Sequence, residues 1–134
     1  MPWFETGLMY FVMQEFQDLI NSLFKLPWVR YAAVVDSHGE RFIGGMKPGV
    51  RSITSMPSEK KLEVQSMLIL QMAQDYEPEC GRLYYTAIRW DKIVALFFLL
   101  SPDWALNLTV SDNISLQDAF EMERMVRAWR AENF

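Results

Sequence analysis

The sequence predicts an α/β domain of the α+β kind: a single antiparallel five-stranded sheet with helices on both faces, in the order α-β-β-α-β-β-β-α. Three observations point there. Residues 31–46, YAAVVDSHGERFIGGM, read as two strands reversed through Asp-Ser-His-Gly-Glu, with Gly39 supplying the positive φ of a tight turn. Residues 93–100 are an unbroken apolar run, the pattern of an interior strand covered on both faces. Three other stretches carry apolar residues at helical spacing.

The first helix places Leu8, Met9, Val12, Phe16, Leu19, Ile20 and Leu23 on one face, with Gln14, Gln17, Asp18 and Asn21 opposite. A membrane-surface helix would carry Lys and Arg on its polar side, so this face is expected to pack on a core. Trp3, Phe4 and Phe11 are left over, to cover a neighbouring element or a partner chain. Pro27 ends the helix by disfavouring helical backbone at Leu26. The hairpin strands follow at residues 29–35 and 41–46. Residues 47–57, punctuated by Pro48, Gly49 and Pro57, read as an irregular connection anchored by Val50, Ile53 and Met56.

The middle helix starts near Ser58, with Glu59 at the positive end of its dipole, and runs to Tyr76. Leu62, Ile69, Met72, Ala73 and Tyr76 form one apolar face, while Val64, Met67 and Leu68 form a second stripe shared with Gln71. A helix apolar over that much of its circumference is buried on two sides, and in a domain this small the second side is expected to meet another subunit. Self-coverage by the preceding loop or the N-terminal aromatics is the alternative. Strands at residues 82–90, 93–100 and 104–110 then form a meander. Arg82, Tyr84 and Arg89 mark the first of these as an edge, which pairing with a second copy would satisfy. In the last strand Trp104, Leu106, Leu108 and Val110 alternate with Ala105, Asn107 and Thr109, so one face is less completely covered. The final helix opens with Ser115 as N-cap and Asp118 three residues on, and buries Ala119, Met122, Val126 and Trp129.

Composition sets the function classes. A chain of 134 residues is near the modal domain size, so residues 1–134 are expected to form one domain. Apolar residues make up 51%, a surplus that must be hidden in a doubly covered sheet or against another chain. The formal charge of −4 offers no basic stripe for nucleic acid. The lone Cys80 forms no internal disulfide, which makes a reducing, cytoplasmic setting the expectation. The N-terminal apolar run has neither a basic n-region nor a cleavage site, and Glu5, Gln14 and Glu15 interrupt it, so neither a signal peptide nor membrane insertion is expected. Two N-x-[ST] triplets, at Asn107 and Asn113, are read as chance.

Chemistry is not announced anywhere. His38 is the single histidine and sits in a turn with Asp36 and Glu40, where Asp36 is expected to cap its own backbone. Cys80 follows Glu77-Pro-Glu79, neighbours that make a thiol a poorer nucleophile. Gly44 and Gly49 have the spacing of a phosphate-cradling loop, but Val50 and Arg51 stand where Lys and Ser or Thr are required. Neither a catalytic residue nor a metal or cofactor site is expected.

The element order, together with Ala32-Ala-Val-Val-Asp-Ser-His-Gly-Glu40 and Phe42-Ile-Gly-Gly45, resembles the roadblock/dynein-light-chain fold, related in architecture to longin and profilin domains. The Gly-Gly and the following Gly-Val are also similar to an uncharacterised archaeal roadblock-like family, a likeness that carries no function with it. The broader resemblance implies a cytoplasmic homodimer, formed through the middle helix and adjacent edge strand, that serves as a platform for small GTPases or motor complexes. The interface is expected at Val64, Met67, Leu68, Gln71, Tyr84 and Thr86. The competing function is a small-molecule sensor with a profilin-like or PAS-like pocket between sheet and helix.

Overall fold

The computed structural model describes residues 9–134. Its elements are α1 (Met9–Phe24), β1 (Val29–Asp36), β2 (Arg41–Met46), α2 (Met56–Gln74), α3 (Glu77–Cys80), β3 (Tyr85–Arg89), β4 (Ile93–Ser101), β5 (Trp104–Ser111) and α4 (Leu116–Asn133). The strands form one antiparallel sheet in the order β2-β1-β5-β4-β3, so the hairpin and the meander meet where β1 pairs with β5. The predicted sheet and its helices on both faces are present. Leu8, Trp3 and Phe4 lie outside the described residues.

Helices α1 and α4 cover one face. Phe16, Leu19, Ile20 and Leu23 of α1 and Met122 and Val126 of α4 are buried against Ala32, Val34, Leu96, Phe98, Leu106 and Leu108. Those sheet residues alternate with Val35, Ala95, Phe97, Leu99 and Ala105, which point to the other face and receive Met67 and Leu70 of α2. The period-two alternation of β4 is therefore real, although both of its faces are apolar and the sequence shows only a continuous run. Phe11 stays 61% exposed.

Caps set the helix ends. Ser115 accepts the Asp118 amide while the Asp118 carboxylate accepts the Ser115 amide, a reciprocal capping box for α4. Helix α2 begins two residues earlier than the sequence suggests, because Ser55 is its N-cap and Pro57 lies in its first turn. The connection before it is held by polar contacts, and of the expected anchors Val50 alone is partly buried. Lys47 Nζ donates to the Leu26 carbonyl (2.9 Å) and Arg30 Nη2 to that of Arg51 (2.9 Å), whereas Ile53 and Met56 are exposed.

Strand β3 is shorter than the expected 82–90. The four-residue helix α3 precedes it, too short to show a period in the sequence. Gly81 leaves α3 with φ of 90°, and the Leu83 amide donates to Glu77 Oε2 (2.8 Å), so Leu83 closes that turn before the strand ladder begins. On β2, Gly44 is required by close approach as well as by its φ of +105°: a Cβ there would lie 2.3 Å from the Ala32 carbonyl oxygen. Gly44 and Gly45 both lie in the β1–β2 ladder, opposite Ala33 and Ala32.

Candidate interaction surface

The β1–β2 turn is the support on which α2 rests. Asp36 Oδ1 accepts the amides of His38 (2.9 Å) and Glu40 (3.0 Å), which makes this carboxylate a turn brace, and His38 is exposed. Gly39 has φ of +80°, and a Cβ on it would fall 2.5 Å from Val64 Cα. The turn is thus seated directly on the α2 backbone. Any side chain at position 39 would push the helix away.

A second tie runs beneath the helix. Glu63, 4% exposed, accepts the Tyr31 hydroxyl of β1 (2.8 Å) and the Arg41 guanidinium of β2 on the same Oε1. Arg41 also reaches Glu59 (3.4 Å), and Ser52 donates to Glu59 Oε1 (2.6 Å). A buried carboxylate needs such partners, since an unpaired one is costly to desolvate. Burial, reinforced by the Glu63 hydrogen bond and charge, holds the Tyr31 phenol far above its usual range. Burial alone would lower the Arg41 pKa, but the hydrogen bond to Glu63 and the negative charges around it raise it. Both groups therefore keep their protons, and the network joins β1, β2, α2 and the preceding loop.

With Glu63, Ser66, Met67 and Leu70 turned inward, the opposite side of α2 exposes apolar residues among the polar Lys60, Lys61, Gln65 and Gln71. Val64 is 44%, Leu68 53%, Met72 69% and Tyr76 64% exposed. The spacing of four puts Val64, Leu68 and Met72 in one row along α2, and Tyr76 follows just beyond its C-cap. In the sheet, β3 pairs only with β4 and ends the order, so its outer edge is unpaired among the described residues.

Of the six expected interface residues, Val64, Leu68 and Gln71 lie on the exposed side of α2. Met67 does not: it is 2% exposed and packs with Val35, Phe97 and Leu99, so it belongs to the interior of the chain. Tyr84 is engaged by α4, its ring 4.1 Å from the Arg127 guanidinium. Thr86 is half-buried, with a hydroxyl that finds no partner among the described residues. Met72 and Tyr76, expected to face the core, are instead the most exposed members of the row. The error has one physical source. Glu63 and Ser66 occupy the buried face beside Met67 and Leu70, so of the expected apolar face Leu62 and Ile69 pack against the core while Met72 and Tyr76 are left outside.

Among the described residues, no group of three His, Cys, Asp or Glu side chains is placed to hold a metal ion, and no helix is long and apolar enough to cross a membrane.

Protein-family models give no match to this sequence. Curated proteins give none either. Solved structures do. The Roadblock/LC7 domain from Streptomyces avermitilis is similar over 90% of this chain and 95% of its own, with a TM-score of 0.60 at 10% identity. MglB in a tetrameric arrangement matches 89% of this chain and 88% of its own, with a TM-score of 0.69 at 10% identity. Acanthamoeba castellanii profilin IA covers 91% of this chain and 98% of its own at a TM-score of 0.51 and 10% identity. The chain has the roadblock/LC7 fold, with profilin as a more distant architectural relative.

Proposed function

We propose that this chain is a non-catalytic, single-domain interaction module that works as a cytoplasmic homodimer and docks or regulates a small GTPase or signalling complex. Two observations support the dimer: α2 holds Val64, Leu68 and Met72 exposed, with Tyr76 just beyond its end, and the β3 edge of the sheet is unpaired among the described residues. A contiguous apolar row in water is unfavourable at roughly 25 cal/mol per Å² of apolar surface, and an open sheet edge leaves backbone groups without protein partners. A second copy covers both at once. The fold supports the reading, since MglB is solved in a tetrameric arrangement. The GTPase partner rests on the roadblock resemblance alone.

Light scattering at tens of micromolar tests the dimer, with an expected mass of twice 15.7 kDa. A strictly monomeric chain would overturn it. Affinity capture with the tagged protein, in the presence of GDP or of a non-hydrolysable GTP analogue, tests the partner. A nucleotide-dependent GTPase in the eluate is the expected result, and its absence under both conditions would remove that half of the proposal.

A further inference from the structure

The face of α2 that exposes Val64, Leu68 and Met72 also carries a charge at each end. Lys61 lies seven residues before Leu68 and Asp75 seven residues after it. Seven residues are two helical turns less about 20°, so both charges fall almost in line with Leu68, each about 10 Å from it along the axis. Val64 and Met72 lie four residues to either side. The face therefore reads Lys61, Val64, Leu68, Met72, Asp75, symmetric about Leu68 in spacing and opposite in charge.

Both charged side chains are exposed, and neither enters an ion pair among the described residues. Asp75 is also poorly placed for its own chain. It is the C-cap of α2, in helical backbone with φ of −58°, at the negative end of the helix dipole, where an acid is unfavourable. The last turn of the helix holds no basic residue to offset it. A second copy supplies what the single chain lacks. When two α2 helices meet on this face about a two-fold axis at Leu68, they run antiparallel, and residues equally far before and after Leu68 are brought together. Val64 then packs on the partner's Met72, and Lys61 meets the partner's Asp75. A parallel pair would instead oppose like charges at both ends.

We propose, on the basis of the dimer put forward above, that Lys61 and Asp75 select the partner of this helix: a second copy of this chain, reversed, with Leu68 on the two-fold axis and an ion pair at each end of the apolar row. Charge at these two positions sets the orientation and register of the helices and refuses a chain that carries the same sign at the facing position.

The test is charge reversal, with the dimer dissociation constant read by sedimentation equilibrium. Each of Lys61→Asp and Asp75→Lys turns two attractive contacts of the dimer into two repulsive ones, and each is expected to weaken self-association about tenfold. An equimolar mixture of the two variants restores both ion pairs, so it should form a heterodimer of wild-type affinity, identified by its mass in a native spectrum. The wild-type dimer itself should weaken between about 0.05 and 1 M NaCl, as screening shortens to about 3 Å, a result that needs no variant. Wild-type affinity in both variants, weakening that the mixture does not repair, or a wild-type dimer indifferent to salt would overturn the pairing. Failure of the dimer reading looks different. The wild type would then be monomeric, or its dimer would survive Leu68→Asp with Met72→Asp, whereas a dimer broken by that pair and untouched by the charge variants rejects the charge pairing alone.

Discussion

On the α1/α4 face of the sheet, Phe16 meets Phe42, Trp104, Trp129 and Phe134 with ring centroids 5.2 to 6.4 Å apart, whereas the α2 face carries Tyr31, Glu63, Ser66 and Asn107. The first side is an aromatic and aliphatic interior. Its orphaned polar atoms include the indole N–H groups of Trp28 and Trp129, side chains whose apolar bodies dominate their packing. The second has a small apolar cluster around Met67 and Leu70, a hydrogen-bonded charge network, a buried Asn107 amide bonded to Ser66 and a helix whose outer row is apolar. One face is closed by apolar packing alone, and the other combines apolar packing with buried polar ties. Helix α2 therefore buries Met67 and Leu70 and leaves Val64, Leu68 and Met72 in solvent, the row that the proposed interface uses.

Substitutions on the two faces should separate these roles. The largest loss of folding stability is expected from Phe16→Ala, about 3–5 kcal/mol, because it opens a cavity inside the aromatic cluster. Urea denaturation reads this directly, and a loss below that of Leu70→Ala would reverse the ranking of the two faces. Next comes Gly39→Ala, at about 1–3 kcal/mol, from a strained φ and a Cβ that meets the α2 backbone. This change should also weaken self-association, since it displaces the segment that carries Val64. Equal destabilisation with unaltered association would mean that the turn does not position the row.

A smaller effect is expected from Tyr31→Phe, about 1 kcal/mol at neutral pH, for one hydrogen bond to a buried carboxylate that keeps Arg41. Its pH dependence has a definite sign. The folded chain holds the Tyr31 proton above the ordinary value of 10.0 while the unfolded chain loses it, so stability falls as pH rises past 10.0. Tyr31→Phe should make that alkaline fall shallower. Part of it remains, because burial, with a contribution from Glu123, also raises the Tyr85 pKa. Thermal melts from pH 8 to 11 check this, and parallel curves for the two proteins would show that Tyr31 ionises freely.

Much of this fold is legible along the chain, because strands and caps depend on neighbours in sequence. The 31–46 hairpin follows from its Val-rich run and Gly39, the interior strand from its apolar run, and the α4 cap from Ser115 and Asp118. The orientation of α2 was not legible. Its buried side includes Glu63 and Ser66, whose partners Tyr31, Arg41 and Asn107 come from β1, β2 and β5. Only the folded chain brings those acceptors and donors together. Met67 therefore reads as surface and Met72 as core, when each is the other. The burial of Asn107 was hidden for the same reason, since a polar residue in an alternating strand reads as solvent-facing.

The row on α2 is the central claim, and paired substitution of its middle tests it most directly. Leu68 and Met72 are 53% and 69% exposed, so Leu68→Asp with Met72→Asp should change the folding stability of a single chain by no more than about 0.5 kcal/mol. Light scattering on the double variant should give the mass of one chain, 15.7 kDa, with the far-ultraviolet circular dichroism of the wild type. A folded variant that still has the wild-type dimer mass would contradict the account and move the interface off this helix.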